Sequence, residues 1–219
     1  MKKFAFLALL CMLGMFAAPV FADVSQISIG RRNINIPIPE GFVDVTRTEP
    51  ELVRNFQGLA AQTGNRLLGL IVTAEDAQAE APELRRYFLI QVMTTMENQR
   101  ITIRDFAEGR RQMRAMVNDE MLEGVEGDIN DILSDFDVQV GEMRFVPFDS
   151  ESENHIAFSI MMNMSAEGAD HMMVGSYAMV LANQRMFNVY VYSAYNDVAD
   201  LIWTQETLNN WVEAIARAN

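Results

Sequence analysis

Three stretches near the C-terminus decide the fold: Ile156–Met164 (IAFSIMMNM), Met172–Leu181 (MMVGSYAMVL) and Phe187–Tyr195 (FNVYVYSAY). Each alternates side chains with the period of two that a strand needs. Ala166-Glu167-Gly168-Ala169 joins the first pair as a hairpin, with glycine where a positive φ is required. Ala182-Asn183-Gln184-Arg185 is the next turn. The spacing predicts a three-stranded antiparallel meander. Trp203–Ala218 follows as an amphipathic helix, with Leu208, Trp211, Val212 and Ile215 inward.

Working back, Ile27 and Ile29, then Ile34, Ile36 and Ile38, alternate with polar residues around a turn at Gly30–Asn33. They predict a strand pair. Pro37 and Pro39 cannot donate to a ladder, so this strand should fray or lie at an edge. Glu40-Gly41 turns into Phe42–Val45. A helix is expected after Thr48, which can cap it, with Pro50 in the first turn and Glu51 three residues on. Its stripe is Leu52, Val53, Phe56, Leu59 and Ala60, and Gly64 is its stop. Leu67–Val72 and Tyr87–Met93 read as strands, with an acidic, alanine-rich loop at Ala74–Pro82 between them. Thr102, with Asp105 at the capping-box position, opens a second helix carrying Phe106, Met113, Met116 and Val117 on one side. Past the acidic segment Asp119–Asp137, a short helix is expected at Ile129–Phe136 and a strand at Val138–Val146.

The element order is that of an α+β domain: an antiparallel β-sheet covered by helices, ending in a β-meander and a C-terminal helix. The entry Ile34-x-Ile36-Pro37-Ile38-Pro39-Glu40-Gly41-Phe42 resembles that of the PsbP-like fold group. That group includes the photosystem II extrinsic subunit, the bacterial DcrB-like envelope proteins and a Ran-binding nuclear factor. Its members share a scaffold and no common reaction, so the resemblance implies a fold and a binding-type role. The chain departs from DcrB-like lipoproteins in lacking their lipidation signal, and it has an acidic insertion near 118–137.

The start of the chain reads as an export leader. Lys2 and Lys3 precede an apolar run from Phe4 to Phe16, Pro19 breaks the helix, and Val20-Phe21-Ala22 offers a cleavage signal before Asp23. The expected organisation is a signal peptide at 1–22 and one domain at 23–219, placed in the periplasm or outside the cell. The apolar stretch is nearly long enough to act as an uncleaved anchor instead. Cleavage would leave 197 residues with 15 basic and 30 acidic side chains, a formal charge of −15. Such a surface repels nucleic acid and anionic lipid and suits a cationic partner. Cleavage would also remove Cys11, the sole cysteine, and with it disulfides, thiol nucleophiles and thiolate metal sites.

Two clusters could carry chemistry. If the hairpin turns about Glu167-Gly168, Met164 faces His171 and Met162 faces Met173, so four soft ligands suited to Cu(I) share one face. The same face continues through Ile156, Phe158, Ile160, Tyr177, Met179 and Leu181 and reads as core, and methionine is a common core filler. Arg104, Arg111 and Arg114 share a rough face that could bind an anionic group or partner, or pair with nearby acids.

Other chemistries find little. Asp128-x-Asn130 and Asp135-x-Asp137 begin like calcium loops but lack the glycine and bidentate glutamate. No G-x-S-x-G, HExxH or glycine-rich phosphate loop is present. Ser176 falls mid-strand, and His155 reads as a loop residue. The expectation is an exported, non-enzymatic binding or interaction module without a cofactor. Its partner is a protein or small ligand, neither nucleic acid nor membrane. A Cu(I)-handling protein and an enzyme of unrecognised type are the alternatives.

Overall fold

The computed structural model describes residues 21–117, 130, 138–166 and 169–219. The first isoleucine pair forms a separate antiparallel ribbon of β1 (Phe21–Ile29) and β2 (Arg32–Pro39). The larger sheet contains β3 (Phe42–Asp44), β4 (Asn65–Thr73), β5 (Arg86–Met93), β6 (Val138–Glu151), β7 (His155–Ala166), β8 (Ala169–Ala182) and β9 (Arg185–Ala194). Its order is β3-β4-β5-β9-β8-β7-β6, and every neighbouring pair is antiparallel. The helices are α1 (Pro50–Gln62), α2 (Ile103–Met116) and α3 (Val198–Ala218). This is an α+β protein with helices on an antiparallel sheet and a C-terminal helix.

Local chemistry explains the boundaries. At α2, Thr102 accepts from the Asp105 N–H while the Asp105 carboxylate accepts from the Thr102 N–H, the reciprocal cap expected from the sequence. At α1 the expected Thr48 cap is not made. The Thr48 and Glu49 N–H groups both donate to the Val45 carbonyl in a turn, so the helix starts at Pro50, with Glu49 before it and no side-chain cap. Helix α3 starts five residues earlier than expected, because Asp197 accepts from the Ala199 N–H at 2.7 Å. Asn183 and Gln184 both adopt positive φ, as a two-residue hairpin turn requires. The expected helix at Ile129–Phe136 lies outside the described residues except at Asn130, as do Asp128, Asp135 and Asp137 of the candidate calcium loops.

Both faces of the sheet are covered. The principal core lies under α3 and the β1–β2 ribbon. It uses Ile34, Ile36, Phe88, Ile90, Ala157, Ala178, Val180, Val189 and Val191 against Leu208, Trp211, Val212 and Ile215. The expected core face of the meander, Ile156-Met179-Leu181, points the other way, into a smaller cluster with Phe106 and Met113 of α2. A covered sheet is apolar at both alternations, so bulk does not identify the principal face. Small residues do: Ala157, Ser159, Ser176 and Ala178 let α3 approach the strands. Two of them form a buried hydroxyl chain, in which Ser176 Oγ lies 2.8 Å from Ser159 Oγ and donates to Thr204 Oγ1 at 3.0 Å. Ser176 is fully enclosed there, out of reach of any substrate.

On the α1/α2 face an aromatic belt crosses the sheet: Phe145, Phe158, Tyr177, Tyr190, Tyr192 and Tyr87, ending on Phe56 of α1 with adjacent rings 4.6–6.0 Å apart. Loss of solvation pushes the Tyr87, Tyr177 and Tyr190 phenols well above their usual range and Tyr192 up to about 12, so all four remain neutral. Gly175 makes room for the belt. A Cβ there would stand 2.7 Å from Tyr192 Cε1 on the paired strand. Gly175→Ala therefore displaces the ring and lowers the urea-unfolding free energy by about 1–2 kcal/mol; an unchanged midpoint would contradict this packing.

Candidate binding cleft and the predicted sites

One end of the sheet opens into a cleft of about 630 Å³. Its walls are the end of β4 (Thr73), the following loop (Glu75, Asp76, Glu83, Arg85), the start of β5 (Arg86), the end of β9 (Ser193, Ala194), and Asn196 and Asp200 at the head of α3. Antiparallel order brings these together: β4 and β9 end where β5 begins. The loop is held by a short helical turn at Asp76–Gln78, where Asp76 Oδ2 accepts from Thr73 Oγ1 at 2.7 Å. It is also strained. Leu84 sits at φ 50° while packing against the α1-side core, a conformation costing roughly 1–2 kcal/mol for a side chain of this kind.

Arg86 is the centre of the wall. It donates from Nη2 to Asp200 Oδ1 at 2.9 Å, and its guanidinium lies 4.2 Å from the Trp203 ring centre. Asp200 Oδ2 accepts from the Asn196 N–H at 2.9 Å and from Asn196 Nδ2 at 3.1 Å. Those donors, the Asn196 backbone first, hold the Asp200 carboxyl down at about 2. Asp200 thus stays charged at any physiological pH and rigidly fixes Arg86. At the rim Arg85 pairs with Glu83. With both arginines already engaged, the carboxylates of Glu75 and Asp76 give the cleft a negative character. The sequence signal for this site was the loop's acidity; Asp200 lay ahead of the helix expected from Trp203 and was not singled out.

His155 is not a loop residue. It opens β7 and is 6% exposed. Ser150 Oγ donates to Asn209 Oδ1 at 2.6 Å and lies 3.0 Å from His155 Nε2, so Nε2 must carry the proton. Nδ1 then accepts from Ser152 Oγ at 2.9 Å. The imidazole donates to Ser150 and is not arranged to remove its proton, the reverse of a serine–histidine nucleophile pair.

Burial lowers the His155 pKa first; Glu213 of α3 acts to raise it and Arg110 of α2 to lower it, while Glu151 beside the site is paired with Arg110. A depressed folded value means that the unfolded chain binds the extra proton. Stability is therefore complete above the ordinary imidazole value of 6.5 and falls as the pH drops through it toward the folded value. Wild type should lose urea resistance between pH 7 and 5, and His155→Gln should flatten that slope. Equal slopes in the two proteins would refute this account of the ring.

The register of the hairpin is the one expected: Met162 pairs with Met173 and Met164 with His171. His171 is exposed, and the three methionines are half-buried. Met162 and Met164 also touch an apolar group formed by Val140, Met143, Phe145, Ile160 and Leu59. The three arginines do not converge on open space. Arg111 pairs with Glu108, and Arg114 reaches Glu151, which also takes Arg110 at 2.6 Å. Arg104 lies in the first turn of α2 beside Asp105. The acid missed from sequence is Glu151, which is far along the chain and reaches α2 only because β6 ends beside it.

Among the described residues, no helix is long and apolar enough to cross a membrane. No family model matches the chain, and no curated protein matches it. A solved structure of a mutant of the protein Mog1 is similar over 90% of this chain and 89% of its own, with a TM-score of 0.38 and 9% sequence identity.

Proposed function

We propose that this chain is an exported binding module that uses the cleft at the β4–β5–β9 end to hold a small ligand or peptide end bearing a cationic group. The observation that carries this reading is the Arg86–Asp200 wall, with the Trp203 ring packed against Arg86. A charged pair and a stacked guanidinium are fixed in place at the edge of an open cavity, beside a loop held in a strained conformation. Strain of this kind is retained where the surroundings over-determine it, and it concentrates at binding sites. The ligand's charge follows from Glu75 and Asp76, whose carboxylates form no ion pair among the described residues, and from the acidity of the whole chain.

Export is supported by the leader pattern and by the ladder of β1. Its only register shift lies between Phe21 and Asp23, so cutting after Ala22 removes an irregular end and leaves regular pairing from Asp23↔Ile38 onward. A binding role is also what the PsbP-like resemblance implies.

The test has two parts. N-terminal sequencing of protein from the envelope fraction should begin at Asp23. Calorimetric titration with putrescine, spermidine, lysine and a lysine-ended peptide should detect binding to at least one of them. Glu75→Gln should weaken it about tenfold, the ~1.4 kcal/mol expected for one charged contact, and Ala79→Trp, at another position lining the cleft, should abolish it by filling the space. An intact leader on cytoplasmic protein overturns export. Binding indifferent to both substitutions, or none tighter than millimolar, overturns the cleft.

A further inference from the structure

The methionine face extends over one more strand than the sequence shows. Met143 of β6 pairs with Met162 of β7, which pairs with Met173 of β8. Three thioethers thus stand side by side on one face, across three adjacent strands. In the next row Met164 pairs with His171. Directly paired residues have Cβ atoms about 4.5–5.5 Å apart and diagonal neighbours about 7–8 Å, so long thioether side chains from both rows can meet over one point.

Burial grades across this group. Met143 is 9% exposed, Met162, Met164 and Met173 are half-buried, and His171 is exposed. The group is therefore reachable from solvent at its His171 side and closed by apolar residues at its Met143 side. Hard ligands are missing: among the described residues, no three of His, Cys, Asp or Glu gather closely enough to hold a metal ion. A site built from thioethers and one imidazole disfavours Ca²⁺ and Mg²⁺, which need oxygen, and selects a soft monovalent ion.

We propose that Met162, Met164, Met173 and His171, backed by Met143, form a binding site for Cu(I). The site lies on the α1/α2 face at the tip of the β7–β8 hairpin and is separate from the Arg86 cleft. No electron transfer is involved; the ion enters and leaves in the reduced state.

Competition decides it. Residues 23–219 are titrated under nitrogen into Cu(I) held by bicinchoninate, and loss of the chromophore reports transfer. Wild type should withdraw about one ion per chain with sub-micromolar affinity. Met162→Leu with Met173→Leu, a pair of near-isosteric changes that the packing tolerates, should weaken binding at least about thirtyfold. His171→Asn, at an exposed position that cannot unfold the chain, should weaken it about tenfold. Met113→Leu with Met186→Leu, in the separate α2 cluster, should leave binding unchanged. Failure of wild type to compete at micromolar Cu(I) overturns the proposal. So does an equal loss in the α2-cluster variant, or full binding by the Met162/Met173 variant.

Discussion

Trp211→Ala should lower the unfolding free energy by about 3–5 kcal/mol, enough to unfold much of the population at 37 °C. The indole is fully buried, its ring lies edge-on to Phe88 at 5.0 Å, and Nε1 donates to the Pro37 carbonyl at 2.7 Å. That hydrogen bond ties α3 to β2 across the principal core. It also gives Pro37 a purpose: the residue has no N–H to offer a ladder, but its carbonyl is used. Trp211→Phe keeps most of the packing and loses the bond, so its cost should be about 1–2 kcal/mol. Urea denaturation of the two variants separates the terms. A Phe variant as unstable as the Ala variant would mean the hydrogen bond dominates, against this account.

Asp200→Ala should cost about 2–3 kcal/mol, because it leaves the Arg86 guanidinium and the Asn196 N–H without their acceptor at the head of α3. The wild-type carboxylate has a folded pKa of about 2, below its ordinary 3.8. Its contribution is complete above the ordinary value and disappears as pH falls from near 4 to about 2. Between pH 5 and pH 2.5, wild type should lose stability through this group, and Asp200→Asn should lose correspondingly less. Identical acid profiles would show that Asp200 is not the fixed anion of the cleft. Because Arg86 is positioned by Asp200, the Ala variant should also lose ligand affinity while α3 remains helical by circular dichroism.

The meander was legible because the sequence offers Glu167-Gly168 and Asn183-Gln184 as turn signals and the strands alternate cleanly. The hairpin register followed from those turns alone, and Met162↔Met173 stands where symmetry put it. The choice of principal face was not legible. Ile156 and Met179 are bulkier than Ala157 and Ala178, but a helix lying close over a sheet prefers the small side. His155 illustrates the same limit: polar neighbours in sequence suggested a loop, while its partner Ser150 is itself held by Asn209 of α3, more than fifty residues on. The cleft was hidden for a similar reason. Asp76, Arg86, Ser193 and Asp200 come together through the sheet order β4-β5-β9, which places β9 beside β5 by a connection no local pattern reveals. Charge balance pointed toward cationic partners, but it did not indicate where on the surface they would be held.

Hydrogen exchange of residues 23–219, resolved by peptide and measured with and without saturating spermidine, tests the central claim most directly. The cleft account predicts added protection confined to the loop after Thr73, the start of β5 and the segment from Ser193 to Asp200. Protection absent from those segments, or located instead on α2 or the β7–β8 hairpin, would contradict it.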